Sequence, residues 1–123
     1  MAVHLHKYDL PGDVGFGRSV AVDTETQGLS LTRDKLCLVQ LSAGDGDAHI
    51  VQLDRDGYNC PNLIALLENK DVEKIFHYAR FDVAMLKVHL GVDTAPVYCT
   101  KIASALVRTY TDAHGLKNLC KEL

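Results

Sequence analysis

An apolar run that stops at two carboxylates one residue apart, Val20-Ala21-Val22-Asp23-Thr24-Glu25-Thr26, constrains this chain more than any other stretch. The run reads as a buried strand. Strand side chains alternate, so Asp23 and Glu25 leave it on the same face, at the end where Gln27-Gly28-Leu29 carries the chain onward. Two like charges held that close repel each other, and a divalent cation is the usual remedy. The pair points to a metal site for phosphate chemistry. The bland alternative is a strand running into an acidic, solvated turn.

Length and charge narrow the setting. A chain of 123 residues, 47% hydrophobic and 24% charged, makes one folded domain with a single core. Its 13 Lys and Arg against 16 Asp and Glu leave a formal charge of −3, which excludes a module that grips nucleic acid by bulk positive potential. An enzyme holding nucleic acid through metal ions and a few local cations remains compatible. Cys37, Cys60, Cys99 and Cys120 form no Cys-x-x-Cys pair and read as buried free thiols of a reducing compartment. The start has no secretory apolar run, and no segment approaches the ~20 apolar residues of a membrane span. A cytoplasmic protein is expected.

Along the chain, residues 1–18 hold Pro11, Gly12, Gly15 and Gly17, and read as a short irregular or edge element followed by a turn-rich loop. Ser19–Thr24, Leu36–Ser42 and Ala48–Leu53 read as three strands of an antiparallel meander, with Gly44-Asp45-Gly46-Asp47 as a tight turn. After Cys60-Pro61 the period changes. Leu63, Ile64, Leu66 and Leu67 fit a helix, and Lys74-Ile75-Phe76-His77 a fourth strand. Arg80–Leu90 is a helix stopped by Gly91, Pro96–Cys99 a fifth strand, and Thr100 caps a helix running to Arg108. Leu116, Leu119, Cys120 and Leu123 sit at helical spacing on a final segment, whose apolar face needs a partner. Together these elements predict a mixed five-stranded α/β sheet flanked by helices.

His77-Tyr78-Ala79-Arg80-Phe81-Asp82 is the second acidic station. If the first and fourth strands are neighbours, Asp82 faces Asp23 and Glu25. Three carboxylates meeting at a strand end suit two-metal phosphoryl chemistry, in which one acid bridges ions about 3.5–4 Å apart. Taken singly, Asp82 is also an acid favoured at a helix start, and His77 a satisfied core histidine.

The order Asp23-Thr24-Glu25, Leu36–Ser42, His77 with Asp82, Cys99-Thr100-Lys101-Ile102-Ala103 and His114-Gly115-Leu116 resembles the ribonuclease D family of DEDD 3′–5′ exonucleases, over nearly the whole chain. The resemblance implies a ribonuclease H-like fold and a metal-dependent exoribonuclease using two Mg²⁺ or Mn²⁺ ions to release nucleoside 5′-monophosphates. It makes Asp23, Glu25 and Asp82 catalytic metal ligands. It also assigns Thr26, Gly28, Leu29, His77 and Phe81 to the nucleic acid, with Leu29 wedged against the terminal base. From the residues alone, Leu29 and Phe81 also suit core packing beside a strand end.

Two departures stand out. Cys99-Thr100 replaces the family's Asp-Thr, so helix capping there is expected to rest on Thr100. No Tyr-x-x-x-Asp follows His114-Gly115-Leu116, so the third exonuclease motif is missing. Residues 1–123 are therefore expected to be an exonuclease domain incomplete at its C-terminus, weakly active or inactive as it stands. Its partners would be single-stranded RNA 3′ ends, transfer RNA precursors or DNA among them, and a second copy docked through the exposed last helix. The rival reading is a degenerate exonuclease fold that binds RNA ends or a protein without cleaving.

Overall fold

Glycines at positive φ close the tightest turn of the chain, Gly44 at 80° and Gly46 at 94°, and hold β3 (Leu36–Ser42) and β4 (Asp47–Gln52) as antiparallel neighbours. The computed structural model describes residues 2–123. Before this hairpin come β1 (Ala2–Lys7) and β2 (Ser19–Thr26); after it come α1 (Pro61–Glu68), β5 (Glu73–Phe76), α2 (Ala79–Leu90), β6 (Val97–Cys99), α3 (Thr100–Val107) and α4 (Leu116–Glu122). The strands form one mixed sheet in the order β1-β4-β3-β2-β5-β6. β2 is antiparallel to β3 and parallel to β5, so the acidic strand is central and its C-terminal end lies beside the end of β5. No helix among the described residues is long and apolar enough to cross a membrane.

The sheet has six strands where the sequence pattern shows five. The extra one is β1, which pairs parallel with β4 at the edge. Its Val3 and Leu5 are both 61% exposed, so no buried apolar face marks it in the sequence. Its stability comes from a ladder to a strand forty-five residues away, Ala2 opposite Asp47. His4, His6 and His49 stack across this edge, with His6 Nε2 3.0 Å from His49 Nδ1.

The core lies on one face of the sheet. Val20 and Val22 of β2, Val39 and Leu41 of β3, and Phe76 of β5 meet Leu63 and Leu67 of α1 and Met85 and Leu86 of α2 there. Gly91 ends α2 as expected, in the left-handed conformation with its N–H bonded 2.9 Å to Lys87 O. Lys74, on β5, is fully buried, and its ammonium donates to the carbonyls of Asn69 and Ala95 (2.8 Å), tying two loops to the sheet. Desolvation pushes its pKa down. The thiols are free, but only Cys60 is buried; Cys37 and Cys99 are half-buried and Cys120 is exposed.

Candidate active site

Alternation along β2 divides it into two sets. Val20, Val22 and Thr24 are buried against the core, and Ala21, Asp23 and Glu25 are exposed on the opposite face. Ala21 pairs with Ile75 of β5. One alternation further along, Asp23 and His77 line the same cavity of about 460 Å³, together with Gln40, Thr100 and Leu116. That volume falls within the ~300–1,000 Å³ usual for small-ligand sites.

Asp82 approaches the strand from the other side. It lies in the first turn of α2, directly after Tyr78, which holds a left-handed φ of 64°. Asp82 is only 5% exposed, and its Oδ1 accepts a hydrogen bond from the hydroxyl of Thr24. Burial raises the carboxyl to about 6 from an ordinary 3.8; the Thr24 bond pulls against this, while the charges of Asp23 and Glu25 add to it. The first and fourth predicted strands are neighbours as required, and Asp82 lies close enough to feel the charges of Asp23 and Glu25. Among the described residues no group of three His, Cys, Asp or Glu side chains is arranged to hold an ion. The physical reason is the alternation itself: Asp82 is held by Thr24, the residue whose side chain points away from Asp23 and Glu25.

The remaining predicted residues lie around this strand end. Thr26 donates to Gly28 O at 2.6 Å and stiffens the exit from β2. Gly28 sits where a Cβ would run into the Asp34 carboxylate, itself fixed by Ser30 N–H at 2.9 Å. Leu29 is 82% exposed, so it does not pack in the core. Phe81 is half-buried and packs against the core. The cap expected from Thr100 is absent: α3 has no side-chain cap, and Thr100 instead bonds His77 Nδ1 at 2.9 Å. Cys99 Sγ accepts from Ala79 N–H at 3.4 Å. Burial opposes the Cys99 thiolate, but the N–H groups of Ala79, Ile102, Tyr78 and Lys101 outweigh it and draw the thiol below its ordinary value. The bonds of Thr24 to Asp82 and of Thr100 to His77 escaped the sequence reading, although Thr24 stands between the two acids and Thr100 directly follows the unusual Cys99.

A sequence model of a 3′–5′ exonuclease matches residues 8–123 of this chain. The chain belongs to the 3′–5′ exonuclease family. Within that family, NrnC of Brucella melitensis with bound Mg²⁺ superposes at a TM-score of 0.96 with 49% identity, covering 100% of this chain and 62% of NrnC. A second structure of NrnC, bound to pGG, gives the same TM-score of 0.96. Ribonuclease D of Acidiphilium cryptum (strain JF-5) is 33% identical over 104 residues, 85% of this chain and 26% of its own length. Ribonuclease D of Escherichia coli, at 22% identity and a TM-score of 0.60 over 72% of this chain, shares the fold. The exonuclease fold seen here is thus ribonuclease H-like, and the chain spans less than two thirds of NrnC and about a quarter of the curated ribonuclease D.

Proposed function

We propose that this chain carries the core of a metal-dependent 3′–5′ exoribonuclease of ribonuclease D type, which releases nucleoside 5′-monophosphates from single-stranded RNA 3′ ends. The observation that supports it most is the side-by-side exposure of Asp23 and Glu25 at the end of the central strand, in a chain whose exonuclease match runs over residues 8–123. The donor set fits the implied ions: carboxylate oxygens select hard cations such as Mg²⁺ or Mn²⁺. Asp23, Glu25 and Asp82 would hold the ions through their carboxylate oxygens. When bound, the ions would polarise the scissile phosphodiester and lower the pKa of a water.

The chain's own residues do the rest. The exposed pair concentrates negative charge that only a cation relieves. Thr26 and Gly28 fix the strand exit, and Leu29 offers a bare apolar surface to the terminal base. His77 lines the cavity beside Asp23, and Phe81, packed partly against the core, would complete the nucleotide's site. Transfer RNA precursors and DNA are further substrates on this reading, the enzyme would work in the cytoplasm, and α4 would join a second copy. The third motif does not occur in these 123 residues, so they alone would be weakly active or inactive.

The hold of Thr24 on Asp82 favours a second reading, a degenerate fold that binds RNA ends or a protein without cutting. Calorimetry with Mn²⁺ on the parent and on Asp23→Ala, beside an assay of RNA shortening, decides between them. The nuclease reading expects weak Mn²⁺ binding that Asp23→Ala abolishes. In a version extended through the third motif, it also expects Asp23→Ala to cut 3′-end shortening by about 10³-fold. Equal Mn²⁺ binding by both proteins removes Asp23 from the site.

A further inference from the structure

Half-buried His77 carries a buried nitrogen that the site leaves unfinished. Its Nδ1 lies 2.9 Å from Thr100 Oγ1, and the Thr100 hydroxyl donates 3.1 Å to the carbonyl of Phe76. A carbonyl oxygen only accepts, so the single hydroxyl proton of Thr100 is committed to it. The Thr100 oxygen must then accept from His77, which puts the ring proton on Nδ1. In the neutral ring Nε2 is therefore a bare acceptor. It is buried, so the side chains over it must shift to admit a ligand, and it has no hydrogen-bond partner among the described residues. Such orphaned atoms are rare in folded proteins and call for an explanation. At the β1–β4 edge, by contrast, His6 and His49 satisfy one another ring to ring.

The surroundings narrow what could complete Nε2. His77 and Asp23 line one cavity at the ends of neighbouring parallel strands, one alternation beyond the Ala21–Ile75 pair. Neighbouring strands lie about 4.8 Å apart, so a ligand group at His77 sits next to whatever Asp23 engages. Phosphate oxygens and carboxylates are acceptors and cannot pair with a bare nitrogen. A phosphodiester's nearest donors are the hydroxyls of its sugars, which lie closer to phosphorus than any base N–H.

We propose that His77 Nε2 accepts a hydrogen bond from a ribose hydroxyl of the 3′-terminal nucleotide, with Thr100 fixing the tautomer that makes this possible. The inference rests on the exonuclease reading and adds to it a means of recognising the sugar. A 2′-hydroxyl donor gives a preference for RNA over DNA. A 3′-hydroxyl donor gives a preference for free, unblocked ends.

The test uses the full chain, Ca²⁺ as the cation, and three calorimetric probes: the diribonucleotide pApA and its analogues lacking the 2′- or the 3′-hydroxyl on the terminal sugar. Parent protein should bind one of the two analogues about tenfold more weakly than pApA, and which one identifies the hydroxyl. His77→Asn keeps an N–H where Nδ1 meets Thr100 but has nothing at Nε2. This variant should bind pApA about tenfold more weakly than the parent and no better than it binds that analogue, as a double-mutant cycle requires. Nitrogen-15 spectra of the parent, which need no variant to fold, should show His77 protonated on Nδ1. Its Nε2 resonance should move with pApA and stay still with the discriminating analogue. Equal binding of all three probes by the parent, discrimination retained in His77→Asn, or a ring protonated on Nε2 overturns the inference and leaves the exonuclease reading standing. Failure of the parent to bind any probe overturns both.

Discussion

The two faces of β2 are made by the same eight residues and obey different rules. On one, Val20 and Val22 are 1% and 4% exposed and belong to a packed core. On the other, Asp23 and Glu25 stand free at a strand end, beside a cavity whose His77 has an unpaired nitrogen. The first face gains stability from every buried methyl group. The second gathers like charges and an unmet acceptor, arrangements that lower stability unless a ligand completes them. Thr24 and Asp82 lie at the boundary: a polar pair on the buried side, close enough for the acids opposite to raise the Asp82 pKa. Folding is decided on one face and chemistry is offered on the other, one residue apart.

The sharpest way to break this contrast is to place the same charge on both sides. Val22→Asp buries an unpaired carboxylate and should destabilise by about 4 kcal/mol or more, enough to unfold a marginal domain. Asp23→Asn, its neighbour, should leave stability within about 0.5 kcal/mol of the parent or raise it. Urea titrations followed by circular dichroism compare them. Similar losses in the two variants would mean that Asp23 is structural.

A smaller effect is expected at the boundary. The native Asp82 carboxyl titrates near 6 and the unfolded one near 3.8, so the folded state binds the proton more tightly. Between about pH 4 and pH 6 the native state holds more protons than the unfolded state, and this residue's contribution to stability falls as pH rises. Asn at position 82 can still accept from Thr24 but is never charged. Asp82→Asn should therefore be more stable than the parent by about 1–3 kcal/mol at pH 7, with the two converging below about pH 4. A gap that widens toward acid would give the shift the opposite sign.

The smallest expected effect concerns α4 beside the open face. It buries no residue, leaves Leu116 53% and Leu123 93% exposed, and is tied to the domain through Glu122, which meets Arg108 and Tyr110. Exposed apolar surface of this kind favours modest self-association. Light scattering over a concentration series should show it, and Leu116→Ser with Leu123→Ser should reduce it. A monodisperse monomer at high concentration would end that part of the proposal.

Patterns of short range were legible in the chain itself. The alternation of Val20 to Glu25, the glycines of the β3–β4 turn, and the stop at Gly91 each follow from local backbone and side-chain geometry, and each is found in the structure. Interactions between distant segments were not legible. β1 alternates apolar Val3 and Leu5 with His4 and His6, but both apolar side chains are exposed, and it is a strand because β4 offers it a ladder. Helix α1 begins after Cys60, which supplies no side-chain cap; instead the Asp9 carboxylate accepts from Asn62 and Leu63 N–H at 3.0 and 2.9 Å. Thr100, read as a cap, turns to His77 because the end of β5 brings Phe76 O within reach. The sequence by itself determined which residues could be strand, turn and acid, since those preferences are properties of a few consecutive side chains. Only the tertiary structure decided that Asp82 binds Thr24, because that bond depends on the side from which a helix fifty-eight residues away meets the strand.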